Sequence, residues 1–348
     1  MKWWTGLFLF VLTRAVAAQT CSEAALPPMA GVWKQAPKGS SNGLPSKDMA
    51  AQNKVFASLY AMLRQNYSPL GLSASQGGWQ RARATDQRPD SYGYSVYFLP
   101  FYCQGAATKT ETHTATVLYI HVNEADFAFT KSATQRYFLD ESDRANYAWL
   151  KSMPDARNGV LHFKLETDPN EGANAREDKW LVTYDGQLPF RYVSRKAYLD
   201  DARALFTKLK TRELEKIEKD FKDNPQQRDK MLATTRQPID AQLAVIDQWS
   251  KSIPAVELEL PAIVSSFEEF KGFLSEGERG AVILIKDNPE YYNRKLPTSV
   301  PQLFAVDFKA VTDRPVHARA YADALAAVDF ALLKSLLGKE PAAVRAAP

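Results

Sequence analysis

The sequence predicts an α+β protein: an antiparallel sheet with an N-terminal helix, a charged helical hairpin, and a smaller C-terminal α/β portion. Three observations carry that prediction. Between Tyr92 and Val193 apolar residues alternate with a period of two, the mark of strands. Over residues 195–223, and again after Pro238, the spacing becomes three and four, with charges between the apolar positions. In the last third the types mix: "AVILI" and "PQLFAVDF" read as strands, and "YADALAAVDFALLKSLL" reads as a buried helix.

Taken in order, residues 1–18 have the pattern of a signal peptide. Lys2 gives a positive start, Leu7 to Leu12 an apolar run, and Val16-Ala17-Ala18 a small-residue cleavage site. The run is far shorter than the ~20 residues that cross a bilayer, and no later segment reaches that length, so no transmembrane segment is expected. Cleavage would leave a soluble protein in a bacterial periplasm or outside the cell. It would also remove Lys2 and Arg14, lowering the formal net charge of +4 by two. So small a charge is no footprint for nucleic acid or an anionic membrane. Cys21 and Cys103 are the two cysteines. In an oxidising compartment they are expected to form a disulfide that ties the N-terminus to a sheet. Lipidation of Cys21 competes, but Ala18-Gln19-Thr20 matches a lipoprotein signal poorly.

Residues 19–194 form the expected helix-plus-sheet domain. "GVWKQAP" suits a short strand and "KGSSNGLP" a turn-rich loop. Ser46 opens a helix with Val55, Phe56, Leu59, Met62 and Leu63 on one side, bounded by Pro69. Residues 71–91, rich in Gly, Ser and Arg, read as a loop. "YGYSVYFLPFYC" is strand-like, and Pro100 in it argues for a sheet edge or a bulge. In "ATVLYIHV" and "GVLHFKLE", Leu118, Ile120, Leu161 and Phe163 are the expected core side, which turns His121 and His162 to the other. Asp185-Gly186 between two apolar runs is a type I′ hairpin signal, completing an antiparallel meander.

Ser194 is a candidate N-cap for a helix over 195–223, which Asn224-Pro225 ends or interrupts. A second helix is expected after Pro238, carrying Ile239, Leu243, Ile246 and Trp249, to close a hairpin over 195–254. The portion 255–338 opens with a candidate capping box, Ser265 and Glu268, before "FEEFKGFL". Residues 339–348 should fray.

Two stretches, "LPFRYVSRKAYLDDAR" at 188–203 and "YYNRKLPTSVPQLFAVDF" at 291–308, resemble segments of uncharacterised secreted proteins of Gram-negative bacteria. The resemblance implies export and no catalytic residue.

For chemistry, "GSSNG" at 39–43 fits Gly-x-Ser-x-Gly. A nucleophile elbow needs a strand before the serine and a helix starting at it. Pro37 precedes Ser41 and helical character begins only at Ser46, so Ser41 is read as a loop serine. No two of the four histidines have the i,i+4 spacing of a helical zinc site. His121 and His162, with Glu166 beyond His162 on the same strand face, could meet across neighbouring strands as an acid–base pair or a metal site. Asp168, Asn170 and Glu171 suggest an oxygen-rich calcium loop, but Lys179 stands where its last carboxylate belongs. Trp79, Tyr92, Tyr94, Tyr97 and Tyr102 could form a sugar-stacking or partner surface.

No cofactor or metal is expected. The leading functional expectation is an exported, non-catalytic protein that binds an envelope or extracellular partner or ligand. The alternative is an envelope hydrolase with a His/Glu or metal-assisted site at His121, His162 and Glu166. A cavity holding both histidines beside an acid would favour the enzyme.

Overall fold

The computed structural model describes residues 21–35, 41–81, 89–124, 147–157, 159–165, 175–266 and 269–340. The expected signal peptide, Glu166, the Asp168–Asn170–Glu171 group, Glu268 and residues 341–348 of the tail lie outside them.

The strands are β1 (Val32–Gln35), β2 (Ser41–Asn42), β3 (Leu72–Arg81), β4 (Tyr92–Gln104), β5 (Ala107–Thr110), β6 (Val117–Val122), β7 (Ala148–Leu150) and β8 (Asp155–Arg157). They continue with β9 (Val160–Leu165), β10 (Ala175–Val182), β11 (Phe190–Tyr192), β12 (Ile263–Ser265), β13 (Ala281–Asp287) and β14 (Phe304–Val311). The helices are α1 (Ser46–Asn66), α2 (Arg195–Asp220), α3 (Pro225–Ser252), the short α4 (Ala255–Leu258), α5 (Pro315–Ala326) and α6 (Phe330–Leu336). Among the described residues, ten strands form one sheet in the order β1-β3-β4-β6-β14-β10-β9-β8, with β2 and β5 at its margins. A second sheet runs β11-β13-β12, with β7 also on β13. The fold is α+β and mostly antiparallel, as the residue pattern predicts.

Layering follows from which residues are apolar on each face. Leu118, Ile120, Val306, Phe308 and Trp180 pack under α1, α5 and α6. On the opposite face Phe163, Leu181 and Ala305 meet Ile283, Ile285 and Leu150 of the second sheet. The outer face of that second sheet, with Val264, Val282 and Leu284, packs on α2 and α3 through Tyr198, Ala202 and Ile246. The result is four layers: helix, sheet, sheet, helix. "AVILI" is continuously apolar because β13 lies between two cores and both of its faces are buried.

Several expectations need correction. The supposed loop 71–91 contains β3, which pairs with β4 over nine residues. Gly78 of β3 and Gly93 of β4 lack side chains where aromatic rings occupy the space beside them. A Cβ on Gly78 would stand 2.9 Å from the Phe56 ring, and one on Gly93, the partner of Trp79, 2.0 Å from the indole. Composition suggested a loop where packing demands absent side chains. The Asp185-Gly186 turn forms, but β10 and β11 do not pair: β11 joins β13 in the other sheet. Gly186 has positive φ (67°) while Asp185 does not, so the type I′ geometry is absent.

The second hairpin helix starts at Pro225, capped by the Asn224 side chain, which accepts from Gln227 N at 3.1 Å. Pro238 lies inside it, while buried Ile239 and Ile246 hold the helix from its packed side. Ser265 ends a strand, and residues 269–274 are not helical. The last apolar helix is two helices, because Asp329 accepts from Leu332 N at 2.9 Å and caps α6. Pro100 is tolerated in an internal strand for a local reason. Register pairing with β6 ends at Tyr97 and pairing with β5 begins at Phe101, so the missing N–H falls in the interval.

Cys21 and Cys103 form the expected disulfide, with Cα atoms 5.6 Å apart and a sequence separation of 82. It fastens the N-terminal segment to β4, where Cys103 N also donates to Glu23 Oε1 at 2.8 Å. Closing so long a loop restricts the unfolded chain, so reduction should lower the unfolding free energy by about 2–4 kcal/mol. Urea midpoints of oxidised and reduced protein measure this, and coincident midpoints would contradict it.

Candidate functional site

The two singled-out histidines lie in the same sheet but on opposite faces of it. Register shows why. His121 pairs with Ala305, Ala305 with Leu181, and Leu181 with Leu161, so His121 shares its face with Leu161. His162 pairs with Trp180, Trp180 with Val306, and Val306 with Ile120. His162 therefore faces the helical layer and His121 the other side, with β14 and β10 between their strands. They cannot share a metal or a substrate. The expectation failed because it gave both strands one common core, whereas the sheet is buried on two faces.

His121 sits among Trp79 (ring centroids 5.1 Å), Tyr119 (5.8 Å) and Glu124, whose Oε2 is 4.0 Å from Nδ1. Burial and the nearby Lys179 ammonium push its pKa down to about 3, so it is neutral near pH 7. Lys179 lies 3.2 Å from Glu177 and 3.5 Å from Asp307. Burial raises the Asp307 carboxyl to about 6 against the pull of that lysine. Of the five aromatics expected to share one surface, Tyr92 and Tyr94 belong to the core under α1, Trp79 and exposed Tyr97 face the other way, and Tyr102 lies farther along β4 where it pairs with Lys109 of β5. Alternation splits them.

His162 has the more defined surroundings. Its ring stacks on Trp180 at 4.8 Å and 5°. Its Nε2 is 2.9 Å from Asp178 Oδ1. Asp178 also accepts from Arg176 Nε at 2.6 Å and from the Tyr321 hydroxyl. Burial works against charge on Asp178, but the hydrogen bonds from Tyr321, Arg176 and His162 outweigh it and hold the carboxyl below its usual range. An ionised carboxylate only accepts, so Nε2 of His162 must carry hydrogen. With Nε2 so engaged, Nδ1 is the polar ring atom left for another partner.

Beside this ring lies a cavity of about 630 Å³, within the ~300–1,000 Å³ common for small-molecule sites. Val160, Trp180, Phe330 and Ala331 supply apolar wall; Asp155, Arg157 and Lys334 supply charge. The floor is β8 to β10 and the opposing wall is α6. Lys334 Nζ is anchored by Thr183 O and Asp185 Oδ1, both at 2.7 Å. The sequence pointed to His162 alone, through alternation. Trp180, Phe330 and Arg157 carried no signal, because the site is assembled from segments far apart in the chain.

Among the described residues no three His, Cys, Asp or Glu side chains are gathered to hold a metal ion. Ser41 lies on β2, paired with β3, and a loop separates it from the start of α1, so the strand-to-helix turn of a nucleophile elbow is absent. Serine-directed fluorophosphonate probes should leave Ser41 unlabelled, as peptide mapping by mass spectrometry would read. Comparison of the chain with protein families, curated proteins and solved structures finds no match.

Proposed function

We propose that this is an exported protein that binds a small ligand in the cavity between β8–β10 and α6. The cavity carries the reading: a mostly apolar space of ligand size, with one oriented polar ring at its side. Export is supported by the signal-like residues 1–18, and the Cys21–Cys103 bridge is compatible with it. No helix of the described residues is long and apolar enough to cross a membrane.

The test uses Ala331, which is exposed at the cavity wall. Ala331→Trp should fill the space without touching the core. A ligand found by thermal-shift screening at about 100 times its Kd should stabilise the wild type by roughly 2.7 kcal/mol. It should lose at least about tenfold in affinity for A331W, the loss that a blocked site entails. Equal affinity for both proteins would sink the reading.

A hydrolase is the second reading, favoured by the hydrogen bond from His162 to Asp178. There Nδ1 of His162 would take a proton from water, since none of the described lining residues is Ser, Thr or Cys. His162→Asn would then abolish ester turnover while leaving ligand binding nearly intact. A wild type without measurable turnover of aryl esters would remove this reading.

A further inference from the structure

We infer that the ligand of this cavity is an amphipathic anion: an apolar body carrying a single carboxylate or similar group, which Arg157 receives. The inference rests on the cavity being the ligand site and concerns what enters it.

The charges around the cavity are unequal in their commitments. Lys334 is held by Thr183 O and by Asp185, whose side chain is otherwise exposed. Asp155, the one carboxylate among the described lining residues, is already engaged. Arg157 stands two residues along β8 from Asp155, so both side chains project to the His162 face. Its register partner is Val160 and that of Asp155 is His162. Arg157 makes no ion pair among the described residues. Among the described residues the wall thus carries two cations, Arg157 and Lys334, against one anion, Asp155, and Arg157, the cation with no ion pair among them, stands beside the apolar wall.

Complementarity follows from these placements. A ligand entering beside Trp180, Phe330 and Val160 must bring apolar surface, because those walls return nothing for a lost hydrogen bond. Its charged end meets the Arg157 guanidinium, whose planar donors match a carboxylate's two oxygens. An amine in the same place would face two cations and only one carboxylate, itself engaged. His162 Nδ1 adds a polar ring atom that suits a hydroxyl on the body of the ligand, since a hydroxyl can both donate and accept.

The test compares 2-naphthoate with 2-naphthalenemethanol, which share an apolar body and differ in charge, by calorimetric titration. Wild type should bind the naphthoate at least about fivefold more tightly, as a partly exposed charge-assisted contact allows. Arg157→Gln should erase that preference and leave the alcohol's affinity unchanged; Ala331→Trp should weaken both. Equal binding of the two compounds to the wild type, with both blocked in A331W, would overturn the anion inference while the cavity reading stands. An R157Q protein that keeps the preference would overturn it in the same way. Failure of both compounds to bind the wild type would overturn both readings together.

Discussion

A chain ending at Leu258 should show no cooperative unfolding transition, although it retains every residue of the helix, sheet and hairpin regions that composition marks off. The reason is the position of β14. It lies between β6 and β10, sharing eight register pairs with β10 and six with β6. Without it the ten-stranded sheet falls into two pieces with unpaired edges. The loss also removes Phe304, Val306, Phe308 and Ala310, each fully buried under the helical layer. A single Phe308→Ala change should cost about 3–5 kcal/mol, since that ring stacks on Phe98 at 5.6 Å and packs on Tyr321 at 4.6 Å. Losing the whole strand exceeds the ~5–15 kcal/mol that holds a typical domain together. Urea titration followed by circular dichroism reads the outcome. A truncated chain with a native-like sigmoidal transition would show that the N-terminal region folds independently.

Between pH 7 and pH 3 the wild type should lose up to about 4 kcal/mol of stability relative to a His121→Gln variant. The folded pKa of His121 is pushed down to about 3, from an ordinary 6.5, by burial first and Lys179 second. In that window the unfolded chain binds a proton that the folded one refuses, so stability is complete above about 6.5 and drains as pH falls toward 3. Asp307 works in the opposite direction. Its folded pKa of about 6 exceeds the ordinary 3.8, so the folded state binds the extra proton between those values and gains as the solution is acidified. The two effects oppose each other between about pH 4 and 6, which is why the variant comparison is needed. An Asp307→Asn variant should show the reverse difference. Urea midpoints at a series of pH values measure both, and identical profiles for wild type and H121Q would show that His121 is not held neutral.

How much of this was legible from the sequence depends on the range of the interaction concerned. The period of two in "GVLHFKLE" correctly turns His162 away from Leu161 and Phe163, because alternation is a property of the strand itself. It says nothing about which core each side meets. In β6 the residues Leu118 and Ile120 face the helices, whereas in β9 Leu161 and Phe163 face the second sheet. A sheet with one wet face would have put both histidines on one surface; a sheet with two buried faces puts them on opposite ones, and β14 and β10 stand between their strands. The same limit hid β3. Leu72 and Ala74 are fully buried, but the Gly77-Gly78 pair beside them looks like a turn until Phe56 is seen over it.

What the residues alone determined is therefore local or forced. Ser194 caps its helix through a contact three residues away, Ser46 opens the first helix as its spacing requires, and two cysteines in one chain have a single intramolecular pairing. Tertiary structure alone decided the insertion of β14 into the central sheet and the meeting of Arg157, His162, Trp180 and Phe330 around one cavity. Those groups come from four separate elements, and nothing in their spacing along the chain records their proximity. Caps and alternation arise from backbone geometry within a few residues, whereas strand order and cavities arise from how apolar faces are shared among layers. That sharing is settled only when the whole chain has packed.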